Sequence, residues 1–167
     1  QYPKHATACW IGNNLSDNKK GLHLIKKACQ KSNTPLLYHD VNAIEENSRV
    51  FSQSELKDNF YYQASFYICA SEEEGTPNTA LEAMSCGLPV ISTPVGNMPD
   101  LIVDGFNGFI VERSVESIAK AIRRLKEMDI NQLGKNARAS IEAGWTWEQK
   151  TKNYEDMIIS LSNSLDK

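Results

Sequence analysis

Two glutamates in the stretch SEEEGTPNTALEAMSCGLPVIST, residues 71–93, have the chemistry and spacing to bind a polar ligand. Glu74 stands directly before a Gly-Thr-Pro turn, and Glu82 follows within an otherwise uncharged helical pattern. No Lys or Arg lies three or four residues from Glu82 to pair with it. A buried carboxylate without a partner loses several kcal/mol of hydration. We therefore expect a group from outside its own helix to satisfy Glu82.

The spacing of the two glutamates favours one extended ligand over a catalytic pair. About two helical turns separate them, which corresponds to roughly 10 Å along a helix. This separation is too long for two carboxyl groups that share one water or one glycosidic oxygen, for which about 5–10 Å is the working range. We therefore predict that Glu74 and Glu82 contact two points of one extended ligand, one of them meeting a sugar and the other a ribose.

The turn before Glu82 has the features of an anion-binding helix start. We predict Thr76 as the N-cap residue, Pro77 as the first helical residue and Gly87 as the left-handed residue that ends the helix. A helix start presents N–H groups and about half a positive charge, which favours phosphate. Gly75 would let a ligand approach the backbone closely.

Apolar runs of strand length alternate with helical patterns along the chain, which predicts an α/β, doubly wound (Rossmann-like) parallel sheet with helices on both faces. We place strands in HATACWIG, PLLYHDV, SRVFSQ, SFYICAS, LPVIST and VDGFNGFIV. Ser54 is the expected cap of a helix in SELKDNFYYQ. Ligands bind such sheets at the carboxyl ends of the strands, where strand order reverses.

The length of the chain suits one domain with one core. We predict a single domain over residues 1–167, in which residues 146–165 form a C-terminal amphipathic helix. Apolar residues at spacings of three and four in that helix favour one face packing on the domain or on a missing partner, rather than a coiled coil.

Composition excludes several classes of function. Lys and Arg number 18 against 21 Asp and Glu, a net charge of −3, which argues against general binding to nucleic acid or to a membrane surface. No apolar run approaches the ~20 residues of a membrane span. The four cysteines are scattered without a C-x-x-C pair, which predicts reduced thiols and a cytoplasmic protein. The three histidines lie far apart, so we expect no metal site.

An extended resemblance begins at these glutamates. EGTPNTALE places seven residues between Glu74 and Glu82, and the run AMSCGLPVISTPVGNMPDLIVDGFNGFIV follows. Together they resemble the E-x7-E signature and downstream run of the retaining family 4 glycosyltransferases of the GT-B fold. The chain from Trp10 to Trp147 is similar to the C-terminal, donor-binding half of those enzymes. The last helix resembles their helix that crosses back to the N-terminal acceptor half, which is absent here.

The resemblance implies a hexosyltransferase that moves a sugar from a nucleoside diphosphate sugar to an acceptor hydroxyl with retention of configuration, as in polysaccharide biosynthesis. Glu74 would contact the transferred sugar, Glu82 the ribose hydroxyls, and the backbone from Gly75 to Asn78 the sugar and phosphate. The expected donor-binding residues are Gly12, Asn13, Lys19, Lys20, Val50, Glu74, Gly75, Thr76, Pro77, Asn78 and Glu82, with Glu74 and Lys20 also catalytic.

Other expectations follow from the same resemblance. No cofactor and no metal are needed if the lysines and the helix dipole carry the charge of the diphosphate. The missing half would bind the acceptor, a saccharide or a lipid, and would be the route to any peripheral membrane association. The isolated segment should bind nucleotide and transfer poorly or not at all.

The phosphate-binding loop departs from the family pattern, usually G-R-L-x-x-x-K-G. The sequence reads IGNNLSDNKKG, with Asn13 in place of the Arg and two extra residues in the loop. Lys20 is the best match to the family lysine, and Lys19 is a candidate to replace the arginine. A lysine lacks the two-pronged geometry of arginine, so we expect weaker or differently aimed diphosphate binding.

Two other classes stay open. A non-catalytic flavodoxin-like nucleotide-binding or regulatory module shares the architecture, although such receiver-type modules place acidic residues at the end of the first strand, where this chain has IGNN. A degenerate transferase domain that holds sugar nucleotide, or only a partner protein, is kept open by Asn13. Binding of no nucleotide would favour the flavodoxin-like module, and nucleotide binding with an inactive full-length chain would favour the degenerate domain. Base selection would rest on backbone groups near Arg49 and Val50.

Overall fold

The computed structural model describes residues 6–12, 18–40 and 52–165. The strands in chain order are β1 (Ala8–Gly12), β2 (Leu36–Asp40), β3 (Phe66–Cys69), β4 (Val90–Ser92) and β5 (Gly108–Ile110). The helices are α1 (Leu22–Lys31), α2 (Gln53–Asn59), α3 (Asn78–Ser85), α4 (Met98–Leu101), α5 (Val115–Lys126), α6 (Ile130–Gly144) and α7 (Trp147–Leu165), and a 3₁₀ turn covers Tyr61–Gln63. The strand predicted in SRVFSQ falls largely outside the described residues; its last two residues cap and begin α2.

The five strands form one parallel sheet in the order β2-β1-β3-β4-β5. Ala8 in β1 lies opposite Leu36 in β2 and Phe66 in β3. The predicted α/β doubly wound sheet is therefore confirmed. The chain moves from β1 to one edge at β2 and then crosses back to β3, so the strand order reverses between β1 and β3. The crevice at the carboxyl ends of these two strands is where a ligand is expected.

Alternate residues of the central strand supply both cores. Phe66 and Ile68 in β3 pack in the cluster beneath α1 and α5. Tyr67 and Cys69 pack in the cluster beneath α3 and α6. Burying one such side chain contributes about 1.5–3 kcal/mol, so the two clusters fix both helix layers on the sheet. The position of α3 over the sheet follows from this burial.

Two predicted helix starts are wrong by one or two residues. α2 begins after Ser52, not Ser54: the Ser52 hydroxyl accepts from the Glu55 N–H, and the Glu55 carboxylate accepts from the Ser52 N–H. α3 begins at Asn78, so Pro77 is the N-cap position and Thr76 is not. Pro77 has φ −75° and ψ 80°, and the Asn78 N–H donates to the Thr76 carbonyl at 2.9 Å. This inverse γ-turn keeps Pro77 out of the helix.

The end of α3 is as predicted, because Gly87 has a φ of 79°. The helix predicted over 146–165 corresponds to α7. Residues 151–163 of α7 are all exposed, so this stretch has no face packed on the domain. None of the described helices combines the length and the hydropathy needed to cross a membrane. All four cysteines are free; Cys86 is half-buried and the other three are buried.

Candidate functional site

Two loops meet at the carboxyl ends of β1 and β3. Gly21, just before α1, has a φ of 72°, and a Cβ built there would lie 2.2 Å from the Ala70 carbonyl oxygen. Only glycine therefore allows the two loops to approach this closely. The Glu72 N–H also donates to the Lys19 carbonyl at 2.8 Å. These contacts fix the backbone of the predicted phosphate-binding lysines beside the loop that carries Glu74.

Arg113, which follows β5, provides a third connection that the sequence did not reveal. Its Nε donates to the Ala70 carbonyl at 3.0 Å, and its Nη2 donates to the Asn18 carbonyl at 3.0 Å. The Lys19 carbonyl lies 3.4 Å from the same Nη2. One half-buried guanidinium thus bridges the loops after β1 and β3. Hydrogen bonds from a charged donor are stronger than neutral ones.

Replacing Arg113 with alanine is expected to destabilise the protein by about 1–3 kcal/mol, because two charge-assisted bonds are lost. For a chain of this size, that loss lowers the unfolding temperature by roughly 3–8 °C. Differential scanning calorimetry measures the change. Arg123→Ala, which removes an exposed guanidinium from α5, is the matched control. Equal unfolding temperatures for the two variants would show that Arg113 does not hold the loops.

The two residues predicted as catalytic are brought together across the crevice. The Lys20 Nζ lies 2.5 Å from Glu74 Oε1, and the Ser71 hydroxyl donates to the same oxygen at 2.8 Å. The Lys20 side chain is 39% exposed and that of Glu74 is 16% exposed. The Glu74 carboxylate is therefore held in place by two partners, while the Lys20 side chain stays partly exposed.

Glu82 does not lie in the apolar setting that its sequence neighbours suggested. The residue is exposed on the outer face of α3, whereas Ala80, Ala83 and Met84 are buried on the inner face. The expectation that Glu82 is buried is therefore wrong. The expected partner from outside the helix does exist: the Tyr61 hydroxyl donates to Glu82 Oε2 at 2.9 Å.

Tyr61 was not predicted and connects α3 to the core. It is 2% exposed, and its hydroxyl oxygen lies 3.3 Å from the Thr79 carbonyl. The Thr79 hydroxyl is 2.8 Å from the Tyr67 hydroxyl, which donates to the Ile11 carbonyl in β1 at 3.1 Å. Burial, with the nearby Glu82 charge, raises the pKa of Tyr61 far above its usual value. Tyr61 therefore remains a hydroxyl donor at any physiological pH.

Two depressions flank the turn between β3 and α3. The larger, of about 860 Å³, runs along the outer face of α3 between α2 and the α6–α7 junction, and its lining includes Thr76, Asn78 and Glu82. The smaller, of about 670 Å³, is lined by residues 72–75 and 94–96. Both volumes are within the range typical of small-molecule sites. Gly75 lines the smaller depression and Thr76 the larger, so the two depressions adjoin at this turn. Glu74 lines the smaller one and Glu82 the larger one.

The remaining predicted residues are placed as follows. Gly12 ends β1 opposite Asp40, and Lys19 is exposed beside Lys20. Asn13 and Val50 lie outside the described residues, as does the loop near Arg49 expected to contact the base. Across residues 6–12, 18–40 and 52–165, no cluster of three or more His, Cys, Asp or Glu side chains is arranged to hold a metal ion.

Comparison with known proteins identifies relatives. Residues 42–140 match the family model of glycosyl transferases group 1. The chain is 30% identical over 109 residues to an uncharacterised glycosyltransferase of Methanocaldococcus jannaschii, covering 62% of this chain and 30% of the relative. It is also 30% identical over 106 residues to the capsular polysaccharide biosynthesis glycosyltransferase CapM of Staphylococcus aureus, covering 59% and 28%. The matched segments therefore span less than a third of these relatives.

A solved structure has the same fold. Sucrose-phosphate synthase from Thermosynechococcus elongatus superposes with a TM-score of 0.71 at 22% identity, over 94% of this chain and 46% of that one. At this level of identity the likeness concerns the fold. It agrees with the predicted Rossmann-like half of a GT-B fold.

Proposed function

Because this chain belongs to the group 1 glycosyl transferases, we propose that it is the donor-binding part of a retaining glycosyltransferase. It would bind a nucleoside diphosphate sugar at the carboxyl edge of the sheet, across the turn between β3 and α3. The acceptor hydroxyl would attack from the side on which the diphosphate leaves. The acceptor, a saccharide or a lipid, would be bound mainly by an N-terminal domain of a longer enzyme, which would work in the cytoplasm.

The observation that carries this proposal is the pair of adjoining depressions. Glu74 lines one and Glu82 the other, with the Gly75-Thr76 turn between them. A nucleoside diphosphate sugar has a sugar at one end, a ribose near the other and two phosphates between. We place the transferred sugar at Glu74, the ribose at Glu82 and the phosphates over the turn that begins α3, where the helix dipole favours negative charge.

Lys20 is the residue we assign to the leaving diphosphate. Its side chain is partly exposed, and its ammonium group is anchored 2.5 Å from Glu74 Oε1. A fixed cation beside the developing charge stabilises the transition state without reorganisation at the moment of transfer. With Lys20, Lys19 and the α3 dipole sharing this charge, the proposed reaction needs no metal and no cofactor.

Replacing Lys20 with alanine is expected to weaken nucleoside diphosphate binding by about tenfold, the effect of losing one charge-assisted contact. Isothermal titration calorimetry measures the dissociation constant. Lys27→Ala removes the same charge from an exposed position further along α1 and should leave binding unchanged. Equal affinities for the two variants would remove Lys20 from the donor site.

The proposal itself is tested by titrating the chain with uridine, guanosine and adenosine diphosphates. We expect one of them to bind with a dissociation constant that the Lys20 substitution raises. Binding of none would contradict the donor-binding role. It would favour a non-catalytic flavodoxin-like module, because the order β2-β1-β3-β4-β5 is also the flavodoxin order.

Transfer itself needs an assay of the intact parent enzyme with a panel of sugar nucleotides. Nucleotide binding combined with an inactive parent enzyme would indicate a degenerate transferase domain. Turnover with retained anomeric configuration supports the full proposal, and inversion would contradict its mechanism.

A further inference from the structure

We infer that Tyr61 is a positioning residue that sets the orientation of the Glu82 carboxylate for the hydroxyls of the donor ribose. This inference rests on the proposed donor-binding function. It assigns a role to a side chain outside both loops of the crevice and outside the E-x7-E signature. Tyr61 acts through Glu82, to which its hydroxyl donates at 2.9 Å.

The two partners differ in mobility. Glu82 is exposed on a helix face, where a long side chain would otherwise sample several rotamers. Tyr61 is 2% exposed and its ring is held by aromatic neighbours, with centroids 5.5 Å from Phe60 and 6.4 Å from Tyr67. A mobile carboxylate is therefore bonded to a fixed hydroxyl. The bond selects one carboxylate orientation before a ligand arrives, which reduces the entropy lost on binding.

The bond to Tyr61 leaves the Glu82 carboxylate able to accept further hydrogen bonds from a diol. A carboxylate has about four lone-pair positions over its two oxygens, and the Tyr61 hydroxyl uses one of them, on Oε2. Tyr61 is held as the neutral donor by its burial, so it cannot repel the carboxylate as a phenolate. Tyr61 and Glu82 both line the larger depression, so a ligand there can reach the remaining positions. Two adjacent ribose hydroxyls can donate to them.

Hydrogen bonds of Thr79 and Tyr67 connect Tyr61 to the carboxyl end of β1. The Thr79 hydroxyl donates to the Tyr67 hydroxyl oxygen, and the Thr79 carbonyl lies 3.3 Å from the Tyr61 hydroxyl. Tyr67 in turn donates to Ile11, one residue before the end of β1. A chain of hydrogen bonds through Tyr61, Thr79 and Tyr67 thereby connects Glu82 to β1, the strand that precedes the loop of Lys20.

The test compares Tyr61→Phe with Tyr62→Phe, the same change at a neighbouring ring that is 44% exposed. Each variant is titrated calorimetrically with the tightest-binding of uridine, guanosine and adenosine diphosphates, and with its 2′,3′-dideoxy form. We expect Tyr61→Phe to weaken binding of the ribose form by about tenfold and of the dideoxy form by less than about twofold. Tyr62→Phe should change neither.

A general structural defect gives a different pattern. If Tyr61→Phe weakens both ligands equally, or neither, the inference is overturned while the donor-binding function stands. In a Glu82→Ala background, where Tyr61 has no side-chain acceptor at this position, Tyr61→Phe should change affinity by less than about twofold, and a full tenfold loss there also overturns it. If the wild-type chain binds none of the three diphosphates, the proposed function fails and the inference fails with it.

Discussion

Replacing Glu82 with alanine is expected to weaken nucleoside diphosphate binding by at least about 100-fold. Two ribose hydroxyls donating to one carboxylate form charge-assisted hydrogen bonds of about 1.5–3 kcal/mol each. Since about 1.4 kcal/mol corresponds to a tenfold change in affinity, their joint loss accounts for this factor. Titration calorimetry with the tightest-binding diphosphate measures it. The exposed position of Glu82 means that its removal leaves no buried cavity.

The folded state should therefore be nearly unaffected, and the loss of binding can be read directly. The matched control is Glu127→Ala, an exposed carboxylate at the far end of α5, away from the carboxyl ends of the strands. It should bind the diphosphate as the wild type does. An affinity for Glu82→Ala within about threefold of the control would mean that Glu82 does not hold the ribose.

The setting of Glu82 shows what neighbours in sequence do and do not reveal. Ala80, Ala83 and Met84 are apolar and buried, yet Glu82 is exposed between them. Successive residues of a helix point about 100° apart, so apolar neighbours along the chain do not share a face with the residue between them. The carboxylate needs no ligand to offset burial. Its location on the wall of a cavity is the evidence that remains.

The start of α2 is one local feature that the sequence does contain. Ser52 and Glu55 are three residues apart, which is the capping-box spacing, whereas Ser54 is followed three residues later by Lys57. The sequence thus contained the correct start of α2. For α3 the pairing of Thr76 with Pro77 predicts a cap followed by a first helical residue. The structure instead places a tight turn at Pro77, a choice that propensities do not distinguish.

The alternation of apolar runs with helical patterns was enough to predict the sheet, because strands and helices each leave a local pattern in the sequence. The contacts that assemble the site are not local. Lys20 and Glu74 are 54 residues apart in sequence, and Tyr61 and Glu82 are 21 apart. Tyr61 lies in an aromatic segment that fits a core equally well, so nothing in its neighbourhood marked the hydroxyl as a partner. Such pairings follow only once the helices are packed.

Two glycines at the crevice predict opposite effects of the same substitution. Gly96 has a φ of 53°, and a Cβ built there would lie 2.2 Å from the Gly75 carbonyl oxygen. Left-handed backbone costs a residue with a Cβ about 1–2 kcal/mol, and the clash with a backbone oxygen adds to it. Gly96→Ala should therefore destabilise the fold by at least about 2 kcal/mol and lower the unfolding temperature by roughly 5 °C or more.

Gly75→Ala is the matched comparison. A Cβ built at Gly75 meets nothing within 4 Å, and its φ is not in the left-handed region, so the unfolding temperature should stay within about 1 °C of the wild type. The added methyl would instead occupy the approach of the donor to the turn between the two depressions, and we expect nucleoside diphosphate affinity to fall about tenfold. Scanning calorimetry and titration calorimetry on both variants measure the two effects. A stable Gly75→Ala chain with unchanged affinity would show that the phosphates do not pass over this turn, and an equally stable Gly96→Ala chain would contradict the close packing of the two loops.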